Sequence, residues 1–236
     1  MLLSQFKAVK YILFFPNFKG FFSFIGILHR VFTRCINKTN LGFNQLKKIS
    51  LIMDQLIVEK LSCSRGAKSI FSNLSFKLNK GDSALIKGAN ASGKTSLLRI
   101  IAGYLDPTSG SSTYKKNDSV QDIQYIGQKH ALKNNLSIQK NISLWELLYS
   151  KKVNHHNLLS SIGLDHLIDR DIDSLSDGQK RRLSLLRLFM SQASLWLLDE
   201  SFVHLDEVWS KALGQFIFNH TSNGGSVIIT SNIELE

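Results

Sequence analysis

The chain has 236 residues, 43% of them hydrophobic and 20% charged, enough to bury a sizeable core in one or two domains. Fifteen Gly and two Pro exclude collagen-like or Pro-rich disorder, and the two cysteines, Cys35 and Cys63, exclude a disulfide scaffold. The formal charge of +11 is uneven: residues 1–52 carry eight Lys/Arg and no Asp or Glu, whereas residues 53–236 carry 21 basic and 18 acidic residues. The body is nearly balanced, so nothing in it calls for nucleic acid as a partner.

Residues 1–52 form a basic extension holding nine of the fifteen Phe. Its longest apolar stretch, residues 21–28, is far short of the roughly 20 residues that span a bilayer. Three readings fit it: a mitochondrial presequence, although Arg30 and Arg34 are its only arginines; an upstream tail whose true start is Met53; or a segment lying on an anionic membrane with its Phe inserted. Lys outnumbers Arg 21 to 8, and Asn, Ile and Phe are plentiful. These residues have A+T-rich codons, a hint of an organelle or a reduced bacterial genome. The extension is expected to be separable, with the first strand of the folded domain, residues 53–236, beginning only after Met53.

Residues 56–58 and 70–78 then read as two strands with a turn at Arg65-Gly66. A third strand, Ser83–Lys87, leads into Gly88-Ala89-Asn90-Ala91-Ser92-Gly93-Lys94-Thr95, and a helical run follows from Ser96. This is G-x-x-x-x-G-K-T between a strand and a helix, the pattern of a phosphate-binding loop. Glycines let successive N–H groups turn inward around an anion, and the helix N-terminus adds partial positive charge. Lys94 is expected to reach the β- and γ-phosphates of ATP, and the Thr95 hydroxyl to ligate Mg²⁺.

Leu195-Trp196-Leu197-Leu198 reads as a buried parallel strand ending in Asp199-Glu200, whose carboxylates open on the ligand. Asp199 is expected to hold Mg²⁺, and Glu200 to polarise the attacking water. Leu175-Ser176-Asp177-Gly178-Gln179 opens a helix expected to run to about Ser191, with Leu183, Leu186 and Met190 at helical spacing. A Ser hydroxyl and free amides at that helix start form another anion-binding device.

With the P-loop and the Asp-Glu strand in this order, L-S-x-G-Q resembles the signature of ABC transporter ATPases. Gln128 resembles the Gln-loop residue and a Mg²⁺ ligand of that family. Val203-His204-Leu205-Asp206 resembles the D-loop, with Val203 and His204 replacing small residues and Asp206 as its acidic member. Linking stretches narrow the likeness: Leu61 to Arg65, Leu74-Ser75-Phe76, Ser96 to Arg99, Ala131-Leu132-Lys133, Gln179 to Leu183 and Leu195-Trp196 together resemble the cytochrome c maturation ABC ATPases.

The resemblance covers roughly residues 54–232. It implies an α/β P-loop NTPase fold of the ABC type: a mixed sheet plus a helical subdomain at about 129–192 that docks on integral membrane subunits. It also implies ATP hydrolysis in a nucleotide-sandwich homodimer peripheral to an inner membrane, on the mitochondrial matrix face or the bacterial cytoplasmic face. The cargo so implied is haem; an ATPase for another small transporter and a nucleotide-sensing regulator are the alternatives. Departures are specific. Cys63, Ser64 and Arg65 stand where an aromatic stacks on adenine, and Arg65 offers a cation–π contact instead. Asp177 adds a carboxylate near the phosphates. Ser201 replaces a Pro, and Asn232 stands at the place of the switch His beside Glu200. His155-His156 reads as a solvated polar pair, and no C-x-x-C-H haem motif occurs.

Overall fold

The computed structural model describes residues 11–15, 55–115 and 123–232. The first strand in chain order is β1 (Tyr11–Phe15), followed by β2 (Gln55–Arg65) and β3 (Lys68–Asn79). The latter two form an antiparallel hairpin closed at Gly66, whose φ of +56° suits a residue without a Cβ. Leu56 and Val58 of β2 and Leu74, Phe76 and Leu78 of β3 are buried while their neighbours face out, as period-two alternation dictates. A register shift after Val58, where Lys60 adopts φ +48°, keeps Leu61 and Cys63 buried as well.

The second sheet carries the site. Its members are β4 (Ser83–Lys87), β6 (Ile123–Ile126), β7 (Leu195–Asp199) and β8 (Ser226–Ser231), while β5 (Ser109–Lys115) joins the hairpin as a three-stranded sheet in the order β3-β2-β5. The larger sheet runs β1-β4-β8-β7-β6; its last four strands are parallel and β1 is antiparallel to β4. Every residue of β4 and β7 is buried, as expected of parallel strands covered on both faces. The C-terminal ends of β4 and β7 emerge at the same edge, so the P-loop and Asp199 meet there.

Six α-helices, α1 (Lys94–Ile101), α2 (Ile138–Tyr149), α3 (His155–Ser160), α4 (Asp177–Leu185), α5 (Arg187–Met190) and α6 (Glu207–Ser222), and two short 3-10 helices at Asp165–Leu167 and Ile172–Ser174 complete the described residues. They divide the interior into three cores. Leu97 and Leu98 of α1 pack with Leu74, Ile86, Leu197 and Ile228 on one sheet face. Leu213 and Ile217 of α6 pack with Leu85, Leu198 and Ile229 on the other. A third core of Ile138, Ile142, Trp145, Leu183, Leu186 and Met190 contains no residue of the large sheet and defines the helical subdomain. The ABC-type P-loop fold, a mixed sheet with a helical subdomain, is therefore the one the sequence predicts.

Three details differ from the sequence reading. The helix expected from the signature to Ser191 is broken at Leu186 into α4 and α5, because Leu186 closes a tighter turn onto Leu183. His155 is not solvated: its Nε2 lies 3.3 Å from Glu146 Oε1, and only His156 of the pair is exposed. A strand also precedes Met53. β1 pairs with β4 from Tyr11↔Lys87 to Phe15↔Ser83, supplying backbone partners to a strand whose other side is taken by β8. The presequence, internal-start and membrane-surface readings otherwise concern residues outside those described, as does Cys35; Cys63 is a free thiol, and burial raises its pKa.

Deleting residues 1–52 strips this edge strand. Loss of its ladder is expected to destabilise the domain by about 2 kcal/mol, roughly 4–8 °C in Tm for a chain of this size. Thermal unfolding of the truncated and full chains checks it, and an unchanged Tm would mean that the pairing contributes nothing.

Candidate functional site

The P-loop is shaped by its last glycine. Gly93 has φ +99°, and a Cβ there would lie 2.5 Å from Ile70 Cγ2 and 3.1 Å from Phe71, so no side chain fits. The loop closes through Ser92 N to Ala89 O at 3.2 Å, and α1 starts at Lys94 directly behind it. Lys94 is 4% exposed; its Nζ donates to Gly88 O at 2.7 Å and Ala89 O at 3.0 Å and lies 3.7 Å from Glu200 Oε1. Ser92 Oγ is buried and has no hydrogen-bond partner among the described residues. An orphaned hydroxyl and an ammonium held by loop carbonyls are the groups a polyphosphate would satisfy.

Asp199 is the hub. It is fully buried, and each carboxylate oxygen is an acceptor: Oδ2 from Thr95 Oγ1 at 2.8 Å and Tyr125 Oη at 3.2 Å, Oδ1 from Thr230 Oγ1 at 2.8 Å. Thr230 Oγ1 in turn accepts from Glu200 N at 3.0 Å. Burial, with the negative charge of Asp199 behind it, pushes the Tyr125 phenol up to about 12, so it remains a proton donor. Glu200 takes φ +50°, a region a non-glycine residue enters only when its surroundings hold it there.

The structure brings together most of the predicted residues. Gln128 is exposed above the P-loop, its Nε2 donating to Thr95 Oγ1 at 3.4 Å. Asn232 Nδ2 donates to Asn90 Oδ1 at 3.4 Å, which places residue 232 at the mouth of the loop. The donor types fit Mg²⁺, a hard cation that takes oxygen ligands: the Thr95 hydroxyl and Asp199 Oδ2 share one corner, and the Gln128 amide, which here presents its Nε2 to Thr95, would have to turn to offer its oxygen. Among the described residues no group of three or more His, Cys, Asp or Glu could hold a metal.

The signature stands apart. Among the described residues, the hydrogen bonds of Lys94 and of the Asp199 carboxylate go to Gly88, Ala89, Thr95, Tyr125 and Thr230, not to Leu175–Gln179. Ser176 caps α4 through a capping box, its Oγ accepting from Gln179 N at 3.2 Å while Ser176 N donates to Gln179 Oε1 at 2.9 Å. Two of the amides at this helix start, those of Ser176 and Gln179, are thus engaged within the capping box, while the Ser176 hydroxyl, here an acceptor, keeps its O–H as a donor. Asp177 is exposed in the first turn of that helix. Gly178 abuts the D-loop: a Cβ there would lie 3.2 Å from the carbonyl oxygen of His204, itself at φ +65°. Asp206 caps α6, accepting from Trp209 N at 2.8 Å. Arg65 is exposed at the end of β2.

Sequence reasoning missed Thr230 and Tyr125. Thr230 sits directly across from Asp199 in the β7–β8 register, a pairing visible only once the strand order is known. Tyr125 lies on β6, next to β7, and its hydroxyl reaches Asp199 across 74 positions of chain.

A P-loop lysine, a carboxylate at the end of the neighbouring strand, a glutamate beyond it and a capped signature helix on a separate helical subdomain define an ABC-type ATPase. The chain matches the ABC transporter family over residues 71–203. It is 36% identical over 186 residues to the cytochrome c biogenesis ATP-binding export protein CcmA of Bradyrhizobium diazoefficiens, covering 77% of this chain and 93% of that one. The protein of that name from Reclinomonas americana is 30% identical, covering 78% and 87% of the two chains. In structure the chain resembles the ATP-binding subunit of an ABC transporter, with TM-score 0.66, 20% identity and coverage of 75% and 79%. It also resembles the ADP conformation of an ATP-binding cassette, with TM-score 0.61, 20% identity and coverage of 79% and 83%. The chain belongs to the ABC transporter family, and within it to the cytochrome c biogenesis ATP-binding export proteins; it is an ATPase.

Thr230→Val keeps the shape of residue 230 but leaves Glu200 N and Asp199 Oδ1 each short of a partner in a buried place. It is expected to cost about 2 kcal/mol in urea unfolding, while Thr230→Ser stays near wild type.

Proposed function

We propose that the chain is the ATP-hydrolysing subunit of a membrane complex that exports or handles haem during cytochrome c biogenesis. The observation that carries this is the convergence of Lys94, Thr95, Asp199 and Glu200 at one sheet edge in a chain of this family. Two copies clamp ATP head to tail, each P-loop facing the other chain's Leu175–Gln179. The separation of the signature from its own chain's P-loop supports that arrangement.

In this reading Gly88, Ala89, Asn90, Ala91, Ser92, Gly93, Lys94, Thr95 and Ser96 bind the phosphates. Lys94 exchanges its loop carbonyls for phosphate oxygens. Thr95, Asp199 and Gln128 would hold Mg²⁺, which would supply neutralisation of phosphate charge. Glu200 accepts a proton from the attacking water, which Gln128 and Asn232 help to orient. Asp206 and its D-loop meet the partner copy.

The membrane partner is an integral membrane subunit, which the helical subdomain contacts. Leu144, Leu147 and Leu148 lie at i, i+3, i+4 spacing on α2, 42%, 74% and 69% exposed, an apolar face that such a partner covers. No helix among the described residues is long and apolar enough to cross a membrane. Association in this reading is peripheral, on an inner membrane; the basic extension and the abundance of residues with A+T-rich codons favour a mitochondrial matrix face.

Lys94→Ala removes the one side-chain cation at the phosphate site and is expected to raise the Kd for ATP by about 10²-fold, near 3 kcal/mol. Glu200→Gln is expected to keep ATP binding and lower turnover by roughly 10²–10⁴-fold, as for a lost general base. Nucleotide binding and single-turnover hydrolysis, measured with co-purified membrane subunits, check both; unchanged turnover in Glu200→Gln would sink the hydrolytic assignment.

A second reading, a nucleotide sensor with slow hydrolysis, is favoured by Asn232. Its amide is shorter than an imidazole and never cationic, so it stabilises transition-state charge less well. Asn232→His is expected to speed hydrolysis with little change in ATP affinity, and Asn232→Ala to slow it. Equal rates in all three would remove position 232 from the site.

A further inference from the structure

Arg181 has no part in the reading above, yet it is among the most buried side chains of the protein at 2% exposure. Burying a guanidinium is costly unless its donors are met. Here three of them are met, all by main-chain carbonyls of loops already assigned to the site. Nη2 donates to Asp199 O at 3.2 Å, Nε to Ser201 O at 3.2 Å and Nη1 to Gly127 O at 2.8 Å. Burial lowers its pKa to about 10, with the nearby Asp199 opposing that shift, so it stays charged at neutral pH.

The targets are not arbitrary. Asp199 and Ser201 flank Glu200, the residue held at φ +50°. Gly127 precedes Gln128. Arg181 itself lies in the second turn of α4, the helix that Ser176 caps and Gly178 opens. One planar fork therefore ties the signature helix to both sides of Glu200 and to the base of the Gln loop. A lysine, with a single ammonium, cannot span three carbonyls in that fixed geometry.

We propose that Arg181 is a positioning residue that fixes Glu200 and Gln128 relative to the signature helix, so that a displacement of α4 by the partner copy's nucleotide is passed to the base of its own chain. The proposal rests on the reading of Glu200 as the base.

The test uses the full chain with its membrane subunits and measures ATP Kd, turnover and Tm for Arg181→Lys and Arg181→Ala. Arg181→Lys is expected to lose about 10-fold or more in turnover, the scale of a misplaced reacting group, with Kd within about threefold of wild type. In Arg181→Ala, millimolar guanidinium is expected to restore part of the turnover and methylammonium is not. In the Arg181→Lys/Glu200→Gln double variant the two losses are expected not to multiply, since both act through one carboxylate.

Wild-type turnover in Arg181→Lys, a Kd that rises in step with the turnover loss, or fully multiplicative losses would each overturn the proposal. Should Arg181→Ala fail to fold, Arg181→Lys and the double variant decide. Unchanged turnover in Glu200→Gln alone reports separately that the base assignment has failed.

Discussion

A fully buried carboxylate is expensive, and Asp199 offsets that cost through the hydroxyl donors of Thr95, Tyr125 and Thr230 around it, with the Arg181 guanidinium nearby. Each donor comes from a different element, α1, β6 and β8, so the charge of one side chain fixes the relative positions of three. Thr95 ties it to the P-loop, Thr230 to the backbone of Glu200, and Tyr125 to the strand that leads into Gln128. The geometry of the site depends on this one desolvated anion being satisfied from all sides. Hydroxyls, unlike lysines, leave its net charge intact for a cation that arrives with the nucleotide.

The helical subdomain is tied to this hub through α4. It has a core of its own, built on Ile138, Ile142, Trp145 and Leu183. Its side-chain hydrogen bonds to the functional loops include those of Arg181 to Gly127, Asp199 and Ser201 and that of Arg187 Nη2 to His130 O at 3.4 Å. Leu185 of α4 and Leu188 of α5 also pack into the core against the large sheet, so apolar contact and these directed bonds together keep the signature helix in step with the functional loops.

The parts of the site legible in the sequence are those whose chemistry is local to the chain. The P-loop is read directly because its glycines, Lys94 and Thr95 are consecutive and their backbone does the work. Asp199 and Glu200 are read from a run of apolar residues that ends in charge. Thr230, Tyr125 and Arg181 are ordinary residues in sequence. Their roles exist only because the strand order sets β8 and β6 on either side of β7, and because α4 passes beneath the turn at Glu200. The break at Leu186 escapes periodicity for a similar reason, since Leu183, Leu186 and Met190 face the same core on both sides of it. β1 escapes because a basic, Phe-rich extension carries a membrane or targeting signature that hides a five-residue pairing.

That pairing bears on the behaviour of the molecule in quantity. A strand with an open row of amides and carbonyls recruits any extended segment it meets, including its copy in another molecule. β4 is buried along its whole length, with an apolar middle and the P-loop at its end. By lying antiparallel against it, Tyr11–Phe15 closes that row from within the chain. The extension then acts as a built-in guard against fibre-like self-association at the strand that carries the nucleotide-binding loop.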